Sequence, residues 1–218
     1  MGSIVGRGVR VEVAATYAAV PVAVSAITNA KQAVLSAAAH GLVNGDVGYL
    51  ESVEGMTNIE GQALRASNIT AGTLEMQGVN SLLYPVFTGT ALLTKVLTWA
   101  LIGKATSYAL GGGGAEKLDD TALVDDIKQE LSGLLDAQSA TINVNAQEVN
   151  DEALQILEDA AFNQAYCVFR VTFKSGATRV WRGQPSLSGE DVGKGAIGTG
   201  SFTTTVKGKV VKGAVIVP

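Results

Sequence analysis

The side chains of this 218-residue chain best suited to chemistry are few: one histidine, His40; one cysteine, Cys167; two tryptophans, Trp99 and Trp181; and four aspartates, Asp119, Asp120, Asp125 and Asp126. A Ser-His-Asp triad would have to be built on His40, but His40 stands beside Gly41 and reads as a turn residue held by hydrogen bonds. Zinc usually takes several Cys or His ligands, which are absent here. The aspartates could hold a hard cation such as calcium, yet their spacing lacks the alternating ligands and central glycine of an EF-hand loop. Such a charge run reads as a solvated loop or a loop between subunits. Gly111 to Gly114 precede Lys117, but a phosphate loop needs Gly-Lys followed by Ser or Thr. Gly193-Lys194-Gly195 and Gly103-Lys104-Ala105 fail the same test. Each tryptophan lies in a strand candidate, where an aromatic is normally core. Lys207, Lys209 and Lys212 read as a solvated face. No catalytic residue, cofactor or metal is expected, and the chain is not expected to be an enzyme.

The formal net charge of −4 argues against a protein that grips nucleic acid through its phosphates, which needs a basic surface. A single cysteine excludes an internal disulfide, and Cys167 on an apolar strand face reads as a buried thiol. No apolar stretch is long enough to span a bilayer. Arg7 and Arg10 ahead of an Ala/Val-rich run imitate a signal peptide, but Glu12 and Pro21 interrupt it, so assembly in the cytoplasm is expected.

The elements that would position these residues are mostly strands. Twenty-six glycines and only four prolines, among many Val, Thr and Ala, favour strands joined by tight turns. In the most legible stretch, 150–183, Asn150 can cap a helix whose Leu154, Leu157 and Ala161 recur at helical spacing, with Val149 packing on Leu154 as a staple. Cys167, Phe169, Val171 and Phe173 then alternate with Val168, Arg170, Thr172 and Lys174, and Ser175-Gly176 turns the chain into a second strand over 178–182. A half-buried first strand covers 9–14. Short strand candidates at 34–36, 47–50, 63–66 and 73–76, separated by glycine turns, give residues 22–95 the texture of a separate small β module. The run 96–108, with Trp99, returns to the main sheet. Residues 119–138 admit either a short helix, with Leu123, Ile127, Leu131 and Leu134 near helical spacing, or an extended loop. Residues 139–144 alternate as a strand, 183–200 form a Gly-rich connection, and in the closing strand Phe202, Thr204, Val206 and Val210 share one face while Thr203, Thr205, Lys207 and Lys209 share the other.

The helix and hairpin, with the upstream Leu118-Asp119-Asp120-Thr121 and the downstream run into 202–211, resemble the major tail tube protein of long-tailed bacteriophages. The resemblance covers the last half of the chain and the first strand, and lies in the order of segments rather than in a motif. It implies a mainly β fold: a tail-tube-type β-sandwich or barrel with one flanking α-helix. His40-Gly41-Leu42, Asn44-Gly45-Asp46, Gly55-Met56-Thr57 and Gly72-Thr73-Leu74 look like a small β-barrel module also seen in the first catalytic-cysteine half-domain of ubiquitin-activating enzymes, without that enzyme's machinery. The expected organisation is a discontinuous tube domain, 1–21 and 96–218, with an inserted small β-barrel module at 22–95.

By this resemblance the chain is a structural virion protein whose hexameric rings stack into the conduit for DNA ejection. Its partners would be copies of itself, the tail tip, tape measure and terminator proteins, and DNA that passes through the lumen without specific binding, with no membrane involved. The loop bearing Leu118, Asp119, Asp120, Leu123, Val124, Asp125 and Asp126 would meet a neighbouring ring. A receptor- or carbohydrate-binding component of a tail tip is the alternative.

Overall fold

The computed structural model describes residues 8–122, 126–146, 151–194 and 196–215. One long sheet organises them. Strands β1 (Arg10–Tyr17), β2 (Val22–Val24), β3 (Ala26–Ile27), β4 (Val34–Ser36), β5 (Val47–Glu51), β6 (Ala63–Ser67), β7 (Thr73–Met76) and β8 (Ala91–Leu101) make up its first half. Strands β9 (Ala105–Gly111), β12 (Ser139–Asn145), β13 (Cys167–Thr172), β14 (Thr178–Asp191) and β15 (Thr199–Gly213) make up the second. Between β9 and β12 stand β10 (Ala115–Asp119) and β11 (Glu130–Leu135), paired only with each other. The described fold is mainly β, with a single α-helix, α1 (Glu152–Phe162).

The sheet order is β3-β4-β7-β6-β5-β8-β1-β13-β14-β15-β12-β9, with β2 also on β8. Strand β8 ties the halves together. Its residues 92–95 pair with β5 and its residues 96–101 pair with β1, so the partner changes between Lys95 and Val96. The central strands are apolar on both faces, where alternation alone had suggested a half-buried first strand. On one face Val11, Val13, Phe169, Trp181, Ile142 and Val206 pack under Leu154 and Leu157 of α1. On the other, Ala14, Val168, Val180 and Val211 merge with a second core built from Leu50, Leu64, Leu93 and their neighbours in β5, β6 and β8. A strand covered on both sides loses the simple alternation of a half-solvated sheet.

Three expectations are corrected. The helix is capped by Asp151, whose Oδ1 accepts from the Leu154 amide at 3.0 Å; Asn150 and Val149, the expected cap and staple, lie outside the described residues. Its buried stripe is Ala153, Leu154, Leu157 and Ala160 rather than Ala161. The helix option over 119–138 is replaced by the β10–β11 hairpin, in which Leu118 pairs with Leu131. The Gly-rich connection 183–200 is largely strand: β14 and β15 extend through it and stay paired as far as Asp191 and Thr199. Strand pairing supplies the hydrogen bonds that small residues leave to be met, which residue type alone does not reveal.

Candidate assembly surfaces

The chemistry-bearing residues are dispersed. His40 is buried in a turn of the first half, where its Nδ1 accepts from the Leu42 amide and its Nε2 donates to the Thr70 carbonyl, each at 3.1 Å. Trp181 is fully buried: it stacks between Phe169 at 5.3 Å and Tyr108 at 5.7 Å, and its indole N–H donates to the Thr204 hydroxyl at 3.0 Å. The Thr204 hydroxyl in turn donates to the Ala140 carbonyl at 3.2 Å, which explains a buried threonine among apolar neighbours. Trp99 is only partly buried, and its ring carries the Arg170 guanidinium 4.2 Å from its centre. Its surroundings are therefore more polar than its place in a strand suggested.

Arginines join the two halves of the sheet. Arg170 lies across from Glu12 in the register of β1 and β13, and its Nε donates to the buried Glu12 carboxylate at 2.8 Å; Arg10 adds a second contact at 3.0 Å. Arg182 donates to Glu51 at 2.6 Å and lies over the Tyr49 ring at 4.1 Å. Arg65 on β6 reaches the Ala214 carbonyl at 2.7 Å and the Gln77 side chain. Lys207 lies over Tyr166 at 5.1 Å. It packs against Gly61, whose positive φ favours glycine and over which the end of the Lys207 side chain lies.

Two protons are held tightly at this junction. Burial pushes the Tyr17 hydroxyl up to about 12, against the amide of Val168 that donates to it at 3.1 Å. Burial likewise pushes the Cys167 thiol up to about 11. Each group has a higher pKa folded than unfolded, so the unfolded chain releases its proton first and stability falls as pH rises. The contribution is fully present below about pH 9, where the unfolded thiol begins to ionise, and is lost between there and about pH 12. Urea unfolding over this range should show the decline. Replacing Cys167 with Ala should flatten its first part, by on the order of 2 kcal/mol; an unchanged slope in that variant would remove the thiol's role.

The β10–β11 hairpin stands clear of the sheet. Gly112, at φ +77°, lies so close to the Ala137 carbonyl that a side chain cannot fit there, and this close passage sets the hairpin's base. Leu118, Ile127, Leu131, Leu134 and Leu135 are all exposed on it. Among the expected loop residues, Leu118 and Asp119 lie in β10, while Asp120 and Asp126 are exposed beyond its end. Leu123, Val124 and Asp125 lie outside the described residues. Hydrogen bonds from the Thr121 hydroxyl at 2.6 Å and amide at 3.0 Å hold the Asp119 carboxyl below its usual range. Lys117 and Lys128 pair with Glu130 on the same hairpin. Sequence reasoning missed Leu134 and Leu135 as surface residues, although their apolar type in a segment of ambiguous period was a signal for them.

Elsewhere, β9 ends the sheet and offers an unpaired edge. A cavity of about 450 Å³ lies beside it, lined by Val9, Val11, Phe173, Tyr108 and Ala105 among others. Among the described residues no helix is long and apolar enough to cross a membrane.

No curated protein matches the chain. Among solved structures, it is similar to a chain from the tail of an empty GTA particle determined with C6 symmetry, at 15% identity and a TM-score of 0.39 over 53% of this chain and 87% of that one. The pattern of the phage tail tube protein family, TTP, matches residues 54–213. That span takes in β6 to β15, the hairpin, the helix and the stacked core around Trp181, and the chain therefore belongs to the phage tail tube protein family, as a structural subunit that assembles with itself into the tail of a virion.

Proposed function

We propose that six copies close into a ring, that rings stack into the conduit for DNA ejection, and that the β10–β11 hairpin carries the contact from ring to ring. The observation that carries this is the hairpin itself. An isolated two-stranded hairpin is marginally stable in water, and this one exposes Leu118, Ile127, Leu131, Leu134 and Leu135. A surface that apolar belongs against a partner. The acidic group Asp119, Asp120, Asp125 and Asp126 then meets polar or basic groups at the rim of the contact, with Leu123 and Val124 inside it. The free edge of β9 supports closure of the ring, since pairing with a neighbouring copy removes an aggregation-prone edge. The ring number rests on the family resemblance.

In this reading the tube domain comprises 1–21 and 96–218, and 22–95 is an inserted small β-barrel module that decorates the outer wall. The change of partner along β8 between Lys95 and Val96 supports the boundary. The subunit has no catalytic role, assembles in the host cytoplasm, and joins the tail tip, tape measure and terminator proteins.

Negative-stain images of the purified protein over a concentration series test this, and tubes or stackable rings are expected, with outward knobs for 22–95. Replacing Leu118 and Leu131 with Ser should abolish stacking while the circular dichroism spectrum and melting temperature stay near those of the parent, since both side chains are already exposed. Normal tubes from the double variant would remove the hairpin from the contact. A homogeneous monomer at high concentration, even when seeded with tail-tip complex, would overturn the ring.

A further inference from the structure

A cavity of about 320 Å³ lies where β6 of the first half reaches across to β1, β13 and β14. Register sets Arg10 beside Thr172 and Thr172 beside Thr178, with Glu12 beside Arg170 on the same face. These five residues and Arg65 line the cavity. The lining therefore carries three guanidiniums and one carboxylate, an excess of positive charge on a chain whose formal net charge is −4. Glu12 is already engaged by Arg170 at 2.8 Å and by Arg10 at 3.0 Å. Arg65 is buried, and both bonds it makes among the described residues, to the Ala214 carbonyl and the Gln77 side chain, leave from Nη1. Burial, and after it the charge of Arg170, pulls its pKa below the usual arginine value. Thr178 is buried too, and its hydroxyl has no hydrogen-bond partner among the described residues. The two groups meet over Gly213, which is opposite Thr178 in the register: a Cβ there would lie against both Thr178 Oγ1 and Arg65 Nη1.

We propose that this cleft binds a phosphate group between the Arg65 and Arg10 guanidiniums and the Thr178 and Thr172 hydroxyls, and that the bound anion clamps β6 onto the main sheet. A buried hydroxyl without a partner is costly, and a buried guanidinium without a counter-charge is costlier. An oxyanion answers both, because it accepts from the hydroxyl and from the guanidinium while its charge offsets the surplus. Arginine suits phosphate in particular, since its planar fork matches the spacing of the oxygens. A carboxylate offers two oxygens in one plane, whereas a phosphate offers them around a centre, and the donors here come from four strands, β1, β6, β13 and β14. Arg170 spends Nε and Nη2 on Glu12 and contributes through its charge. At about 30 Å³ per water, the cavity has room for the group and several waters. Free inorganic phosphate and a phosphoester share this chemistry.

Isothermal titration calorimetry of the full chain with inorganic phosphate provides the test, with sodium chloride of equal ionic strength as the control. One phosphate site per chain is expected, and no matching signal from chloride. Thr178→Val removes the hydroxyl at nearly constant shape and should weaken binding about 10–100-fold, as expected for one hydrogen bond to a charged group. Its melting temperature in phosphate-free buffer should stay at or above that of the parent, because the hydroxyl has no partner to lose. Thr178→Ser keeps the hydroxyl and should bind as the parent does. Should Thr178→Val not fold, Arg10→Gln, at a mostly exposed side chain, takes its place and should weaken binding severalfold. Adenosine monophosphate titrated in parallel separates the sources: binding with the same Thr178 dependence admits a phosphoester, and failure beside successful phosphate binding leaves the free ion, and both results support the site. Silence with both ligands, an equal response to chloride, or parent-like affinity in the substituting variant overturns it. Phosphate should also slow amide hydrogen exchange in β6, and binding that leaves β6 exchange unchanged overturns the clamp.

Discussion

Replacing Trp181 with Ala should lower the unfolding free energy by about 3–5 kcal/mol, the range for truncating a large buried aromatic, and should abolish assembly. The loss has three sources. The indole is completely buried, so its transfer energy and the cavity left behind both count. Its two stacking partners, Phe169 on β13 and Tyr108 on β9, lose the ring that connects opposite parts of the sheet. Finally, the Thr204 hydroxyl loses its donor but keeps its bond to Ala140, so that part of the cost is small. Trp181→Phe should recover most of the stability, because the stack is retained. Chemical denaturation of the two variants checks this, and equal losses in both would mean that the hydrogen bond, not the stack, holds the core.

Replacing Glu12 with Ala should cost about 3–5 kcal/mol, because it strands a guanidinium at the junction of the two halves of the sheet. The Glu12 carboxylate is buried and accepts from Arg170 at 2.8 Å and from Arg10 at 3.0 Å. Arg170 also lies over Trp99 and is largely withdrawn from water, so solvent replaces the lost carboxylate poorly. Arg10 is mostly solvated, and its share of the effect is small. The diagnostic variant is Glu12→Leu with Arg170→Met: removing both charges should restore much of the stability lost in Glu12→Ala. If the double variant is as unstable as the single one, packing rather than the unpaired charge accounts for the loss.

The strands and turns of this chain were legible where a single local rule governed. Short strands such as Val47–Glu51 and Thr73–Met76 are bounded by glycines, and the Ser175-Gly176 turn has the positive φ at Gly176 that a hairpin turn favours. The alternation of Phe202, Thr204, Val206 and Val210 is matched by their burial in β15. The tail-tube resemblance was legible too, since it lies in the succession of such segments. Where two rules competed, the reading stayed open. Over 119–138 the leucines fit a helical period, but the glycine-set base at Gly112 and the pairing of Leu118 with Leu131 make the segment a hairpin.

Residue types along the chain were enough to decide a β-rich scaffold with one amphipathic helix, because period and turn chemistry act over a few residues. They were also enough to argue against the common catalytic and metal-binding patterns. What covers each face of the sheet was decided only in three dimensions. Val168 and Val180 alternate with core residues and look solvent-facing along their strands, yet both are fully buried under the second core. Thr203 and Thr205 follow the same alternation and remain open, on the same face of the same sheet. The difference is the reach of β6 across that face to β14 and β15, a contact between segments more than a hundred residues apart that no local period records.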